Sequence, residues 1–227
     1  MDRIDINRND KRLTTPRSAA IAGVISGGLF FVSFILIRIA FPDDPANVPS
    51  WVKDQAHVLS IALQMVPFAG IAYLWFMGVA RDRLGKREDQ FFATVFLGSG
   101  LLYLAMTFVG TALGAGLLAI YTQDASILGS TIYSYNLVVI NQIINIYSLR
   151  MAAVFMISAA TMWIRTQVMV RWLALLTYLL ALLLLVASGL SLWSTIIFPL
   201  WMILVSFLIF IANYRHQRGK QAEASIE

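Results

Sequence analysis

The sequence predicts an all-α fold, a polytopic bundle of six transmembrane helices with its N- and C-termini in the cytoplasm. Three observations predict it. The 227-residue chain is 59% hydrophobic and 13% charged, where a soluble domain carries about 25% charged residues. Apolar runs recur along a chain of mean hydropathy +0.75, and each run, at roughly 20 residues, is long enough to cross a bilayer as a helix. Basic residues cluster in every second connection, as the positive-inside rule describes for cytoplasmic loops. A transmembrane barrel would show short alternating segments instead.

The first run covers 19–41 and is too long for a cleaved signal peptide. Further spans are predicted at 57–80, 91–121, 137–164, 172–191 and 194–213. The chain thus divides into a basic N-terminal segment, 1–18, a six-helix membrane domain, 19–213, and a cytoplasmic tail, 214–227. Arg3 to Arg17, then Arg81, Arg83, Lys86 and Arg87, then Arg165 and Arg171, and finally Arg215, Arg218 and Lys220 fall on one side. They are fourteen of the seventeen basic residues. Lys53 and Arg38 fall on the other side. This distribution explains the net charge of +5 as topology and attraction to lipid headgroups, not as nucleic-acid binding. Trp75, Trp163 and Trp172 fall near the inner ends and Trp51 and Trp193 near the outer ends, leaving Trp201 inside a span.

The outer loop 42–56 is rich in proline and acid and reads as a surface loop. Helices three and four are longer than a bilayer needs, so they should tilt or project outward. Ala19, Gly23 and Gly27 in helix one, and Gly110 and Gly114 in helix three, recur at helix-packing spacing. Pro67 and Pro199 should kink helices two and six, and a kink can open space for a ligand.

Most catalytic chemistry is excluded. The chain has no cysteine, which removes thiolate nucleophiles, disulfides and cysteine-bound metals. All twelve acidic residues lie outside the predicted spans, and the two histidines, His57 and His216, belong to opposite faces. A transmembrane proton relay would need buried carboxylates or histidines. No metal site, no cofactor and no enzymatic activity are expected.

Two features remain. In the inner loop, Gly78, Asp82, Arg83, Gly85, Lys86 and Arg87 fit G-x-x-x-D-R-x-G-[RK]-[RK]. These ten residues resemble the loop between helices two and three of major facilitator transporters. Helix-end electrostatics explains them as well: Arg81 and Arg83 complement the C-terminal dipole of helix two, and Gly85 suits a terminating turn. The second feature is the stretch NQIINIYSLR, in which Asn141, Gln142, Asn145, Tyr147 and Arg150 interrupt an apolar helix. Arg150 lies about 22 Å from Arg165 along the helix, in the outer part of the bilayer. Insertion of an arginine at mid-helix costs roughly 2.5–3.5 kcal/mol, so a partner is expected. On a regular helix it shares a face with Asn136, Tyr147, Ser158 and Thr161, nearly opposite Asn141, Asn145 and Ser148. Gln64, carbonyls at the Pro67 kink, Asp54, Asp124 or a bound anion are the candidate partners. A structural arginine–amide network, a lipid-phosphate contact and a functional site for an anion or a polar headgroup are the alternatives.

The stretches PFAGIAYLWFMGVARDRLG, EDQFFATVFLGSGLLYLAM, LRMAAVFMISAATMWIRT, RWLALLTYLLAL and FPLWMILVSF together resemble an uncharacterised family of small six-helix bacterial membrane proteins. The resemblance implies a multi-pass protein of the bacterial plasma (inner) membrane. The expected function is that of a non-enzymatic scaffold, accessory subunit, or binder of lipid or another amphipathic ligand. The alternative is a small transporter or channel assembled from six-helix units. Membrane lipids, a second copy of the chain or a larger membrane complex are the expected partners.

Overall fold

The computed structural model describes residues 15–40, 48–84, 90–123, 131–166 and 170–224. Within them the chain forms six helices: α1 (Thr15–Ala40), α2 (Val48–Leu84), α3 (Gln90–Gln123), α4 (Thr131–Thr166), α5 (Arg171–Ala187) and α6 (Ile197–Ala224). Five are long and apolar enough to cross a membrane, and α5 is a shorter apolar helix. Large apolar side chains stand exposed along the outer faces, among them Phe68, Ile71, Leu175, Leu179 and Val186. A water-soluble monomer rarely carries so continuous an apolar surface. The chain is a multi-pass helical membrane protein.

Consecutive helices run antiparallel. Ser26 of α1 donates to the Ala69 carbonyl at 2.9 Å, while Ala40 packs on Leu59 and Leu63. Thr107 of α3 and Ser148 of α4 share a hydrogen bond of 2.8 Å, and the Arg165 guanidinium lies 4.5 Å over the Phe92 ring. Thr161 of α4 meets Tyr178 of α5 at 2.7 Å. The indole Nε1 of Trp201 in α6 donates to Thr177 of α5 at 2.9 Å. α1 packs along both α2 and α6, and α3 lies between α2 and α4. Arg81, Arg165 and Arg171 therefore fall at one end of the bundle, here termed the basic end.

Small residues set the closest approaches. A side chain at Gly23 would overlap both Ser206 of α6 and Phe76 of α2, and the Pro199 carbonyl oxygen lies 3.0 Å from where a Cβ on Gly27 would be. Gly110 admits Ile144 of α4. The expectation from glycine spacing thus holds at Gly23, Gly27 and Gly110. Between these contacts, rings from five helices fill the middle of the bundle: Phe30, Tyr73, Tyr103, Phe155, Phe198 and Trp201, with centroids 4.5–6.4 Å apart.

Several boundaries differ from the sequence reading. α2 begins at Val48, so the last part of the expected 42–56 loop is helical. Pro49 stands in its first turn, where a proline has no ladder bond to lose. α4 begins at Thr131 rather than 137. α5 stops at Ala187 rather than 191 because Gly189 takes φ 87°. That left-handed residue turns the chain, and Ser188 and Leu190 donate back to the Leu184 and Ala187 carbonyls at 3.1 and 3.0 Å. A 3-10 turn, Leu192–Ile196, leads into α6, capped by Ser191 Oγ accepting from Trp193 N–H. Pro199 is thus in the first turn of α6 and interrupts no helix, contrary to the expected kink. At the other end α6 continues to Ala224, through most of the expected tail.

Replacing Thr177 by valine should leave the buried Trp201 N–H without an acceptor and cost about 1–3 kcal/mol. The check is the unfolding midpoint in detergent, with Thr177→Ser expected to restore most of the loss.

Candidate functional site

The amides and the arginine of α4 do not form one cluster, as their opposite faces on a regular helix imply, and the helix is not regular here. From Ile143 to Ser148 its hydrogen bonds follow the i→i+5 pattern of a π-helix. This widened turn admits extra residues and changes the register of everything after it. Ser148 faces α3, where its hydroxyl also approaches the Tyr103 carbonyl at 3.3 Å. Asn145 is buried, and its Nδ2 donates to Asn141 Oδ1 at 2.5 Å. Asn141, Gln142 and Tyr147 are exposed. The division into opposite faces expected from the sequence is kept for Asn145 and Ser148 against Tyr147 and Arg150, but Asn141 leaves the buried side. No propensity rule marks IINIYS as a π segment.

Arg150 is exposed on the bundle surface. Its Nε donates to Ser188 Oγ at 3.3 Å. Its acceptor is therefore a hydroxyl from the turn after α5, not Gln64 or an amide of α4. Of the other expected partners, Asp54 and Asp124 lie outside the described side chains. The stretch from Arg150 to Thr166 rises about 24 Å, and the 17 residues of α5 rise about 25 Å. Arg150 accordingly stands at the far end of the shortest helix, opposite the basic end, and that helix rises a few ångström less than the roughly 30 Å of a hydrocarbon core. Arg38 is at the same end, its guanidinium carbon 5.8 Å from the Trp193 ring centroid.

The long helices continue past this point. α2, α3 and α4 contain 37, 34 and 36 residues and rise about 50–55 Å each. Past the end of α5, and on the side of the α2–α3 seam away from the C-terminal part of α1, nothing among the described residues closes over the seam, and a half-open cleft of about 660 Å³ lies there. Ala56, Ser60, Leu63 and Pro67 form its stripe on α2, at helical spacing, and Thr111, Ala115, Leu118 and Thr122 the matching stripe on α3. Ala112, Ala119 and Phe108 complete the α3 wall. Most of these side chains are small, so the helices stand apart without filling the space between them.

Gln64 belongs to this cleft, where its Nε2 donates to Ser60 Oγ at 3.0 Å. His57 stands exposed at the same mouth, near Thr122 across the antiparallel seam. Thr111 and Thr122 donate to the Thr107 and Ala119 carbonyls of their own helix at 2.8 Å each, which leaves their oxygens available as acceptors. Pro67 has no N–H to return to the Leu63 carbonyl. The cleft is therefore apolar along its length, with hydrogen-bonding groups gathered toward the end away from the bundle centre. The sequence reading had named Gln64, Pro67 and His57 separately. It missed the α3 wall, whose threonines and alanines at 111, 115, 119 and 122 were the available signal.

In the inner loop, Gly78 and Arg81 are exposed on the last turns of α2, and Asp82 and Arg83 continue the helix. Gly85, Lys86 and Arg87 lie outside the described residues. No group of three or more metal-ligating side chains occurs among the described residues. No protein-family model, curated protein or solved structure matches the chain.

Since Arg150 is exposed and has one long protein hydrogen bond, Arg150→Leu should change stability by less than about 1 kcal/mol. Chemical denaturation in detergent checks this. A loss of several kcal/mol would require a buried partner that this geometry lacks.

Proposed function

We propose that this protein is a non-enzymatic membrane protein that binds a lipid or another amphipathic ligand in the cleft between α2 and α3. The cleft itself carries the reading. Its volume of about 660 Å³ falls within the range of small-molecule sites, roughly 300–1,000 Å³. An apolar chain lies along Leu63, Pro67, Phe108 and Ala112, and a polar group meets His57, Ser60, Gln64 and Thr122 at the mouth. His57 is the one titratable side chain among these lining residues, so recognition rests on hydrogen bonds and apolar contact more than on fixed charge. A transporter reading draws less support, because aromatic rings occupy the middle of the bundle where a central path would run.

The membrane arrangement belongs to the same proposal. All six helices cross the bilayer, both termini are cytoplasmic, and the basic end faces the cytoplasm. The 17 apolar residues of α5, at the lower limit of a membrane-crossing helix, support its counting as a span. The resemblance of helices two to six to bacterial six-helix membrane proteins supports a bacterial plasma membrane, with the chain self-associated or held in a larger complex. Reporter fusions at residues 46 and 126 should read as external, and fusions at 86 and 168 as internal. One reversed reporter defeats the topology.

Ala112→Trp tests the cleft. Its indole should displace at least two methylenes of a bound chain, which at about 0.8 kcal/mol each is roughly tenfold in affinity. Binding of a fluorescent fatty acid to the purified protein should weaken by that factor, with the unfolding midpoint preserved. Undiminished binding by a folded Ala112→Trp protein would remove the cleft as the site.

A further inference from the structure

A second site is separate from the cleft, and none of its residues lines it. Arg150 stands where α5 ends, and Ser188 holds it through Nε. Hydrogen bonding through Nε fixes the plane of the guanidinium and leaves the donors on its two terminal nitrogens unused. Among the described residues, no carboxylate pairs with it. The adjoining turn presents Leu190 at 81% and Trp193 at 53% exposure. An exposed leucine beside an exposed tryptophan suits the boundary between acyl chains and headgroups, where tryptophan is enriched. The rise of α5 places Arg150 at that same boundary when the basic end lies at the opposite surface. Arg38, beside the Trp193 ring, adds a second positive charge to this rim.

A charged group at this depth is half out of hydrocarbon and has acceptor needs that the protein meets only once. The group that lies at this depth in a bilayer and accepts two parallel N–H bonds is a phosphate ester. Arginine recognises phosphate in a two-pronged way that lysine cannot reproduce. We propose that Arg150, oriented by Ser188, binds the phosphate of a phospholipid headgroup at the end of the bundle opposite the basic loops. The acyl chains of that lipid lie along the exposed apolar face of α5, which Leu179, Leu182 and Val186 form. Ser188 is the positioning residue. Its hydroxyl also donates to the Leu185 carbonyl at 3.3 Å, which turns a lone pair toward the arginine.

Native mass spectrometry of the full chain in mild detergent tests the proposal, with dioleoyl phosphatidylglycerol as the probe and dioleoylglycerol as the phosphate-free control. Arg150→Gln should weaken phosphatidylglycerol binding about tenfold, the loss expected for one charge-assisted pair, and leave dioleoylglycerol binding unchanged. Arg150→Lys should recover part of the loss. Ser188→Ala should lose about threefold while keeping the charge, because a free guanidinium is less well oriented. Inorganic phosphate at millimolar concentration distinguishes the source of the ligand. No competition supports a lipid, whose chains add affinity. Full competition keeps the anion site but makes a soluble phosphate its ligand, and so overturns the lipid assignment. Equal phosphatidylglycerol binding by the parent and a folded Arg150→Gln protein overturns the site altogether. Ala112→Trp leaves this site intact, so failure of one reading is visible apart from failure of the other.

Discussion

The meeting of Phe155 with Phe96, Tyr73, Phe198 and Trp201 is the contact on which the rest of the bundle depends. In lipid no hydrophobic force drives helix against helix, so association rests on packing and on hydrogen bonds between helices. Flat rings supply large contact area with few rotamers to lose. Phe155 brings rings from α2, α3 and α6 onto α4, and Phe30 and Tyr103 extend the stack to α1. α5 contributes no ring to this centre. It joins through Thr177, which accepts from the Trp201 indole, and through Leu173, Ala181 and Leu184, which are buried. A five-helix core with one helix attached along its side is the physical content of the fold.

That arrangement decides where polar groups can stand. Near the rings, several hydroxyls return to a carbonyl or meet a partner helix, as those of Ser26, Thr107, Ser148 and Thr177 do, while those of Ser33, Tyr73 and Ser206 are buried without a hydrogen bond. Farther out, α5 has ended and the long helices lose a neighbour, with α1 still packed on Leu59 and Leu63. The α2–α3 seam opens there, and Arg150 reaches the rim there. The unequal lengths of the helices thus produce both candidate sites, one as an uncovered seam and the other as an exposed helix end. Neither requires a strained backbone.

The sequence made the helical class legible because hydrophobic runs and alternating charge act over tens of residues and survive local detail. The number of helices and the antiparallel order follow from short connections. Boundaries were less legible. Gly189 sits inside an apolar run, and only its left-handed conformation shows that it ends α5. Pro199 looked like a kink because the 3-10 turn before it was not foreseen. Spacing made Gly23, Gly27 and Gly110 readable as packing glycines, but not Gly70 and Gly100, where Phe108 and Met77 come as near, and at Gly114 the approach is an ordinary contact. The candidate sites were half legible. Gln64 and Arg150 stood out because amides and charges are costly in lipid. The distance between them was not legible, because which seam each helix face meets depends on the packing order: Gln64 lies in the α2–α3 cleft and Arg150 beside the turn after α5.

The π turn is where α4 departs from a regular helix. One residue inserted into an α-helical ladder rotates the following face by about 100°, which is enough to move a side chain from a buried seam to the surface. On the side toward α3, Ser148 bonds Thr107 and Asn145 is enclosed, which ties the turn to the bundle. On the side toward α5, Arg150 meets Ser188, and Ile146 packs near Gly189, the residue that ends the short helix. A glycine at that position leaves room for Ile146, with the nearest side-chain atom 3.3 Å from where a Cβ would be. The π turn and the end of α5 therefore fit each other. The widened helix lets one short segment anchor to α3 and still present an arginine beside α5, so the charge stays at the rim while the amide beside it is held within the bundle.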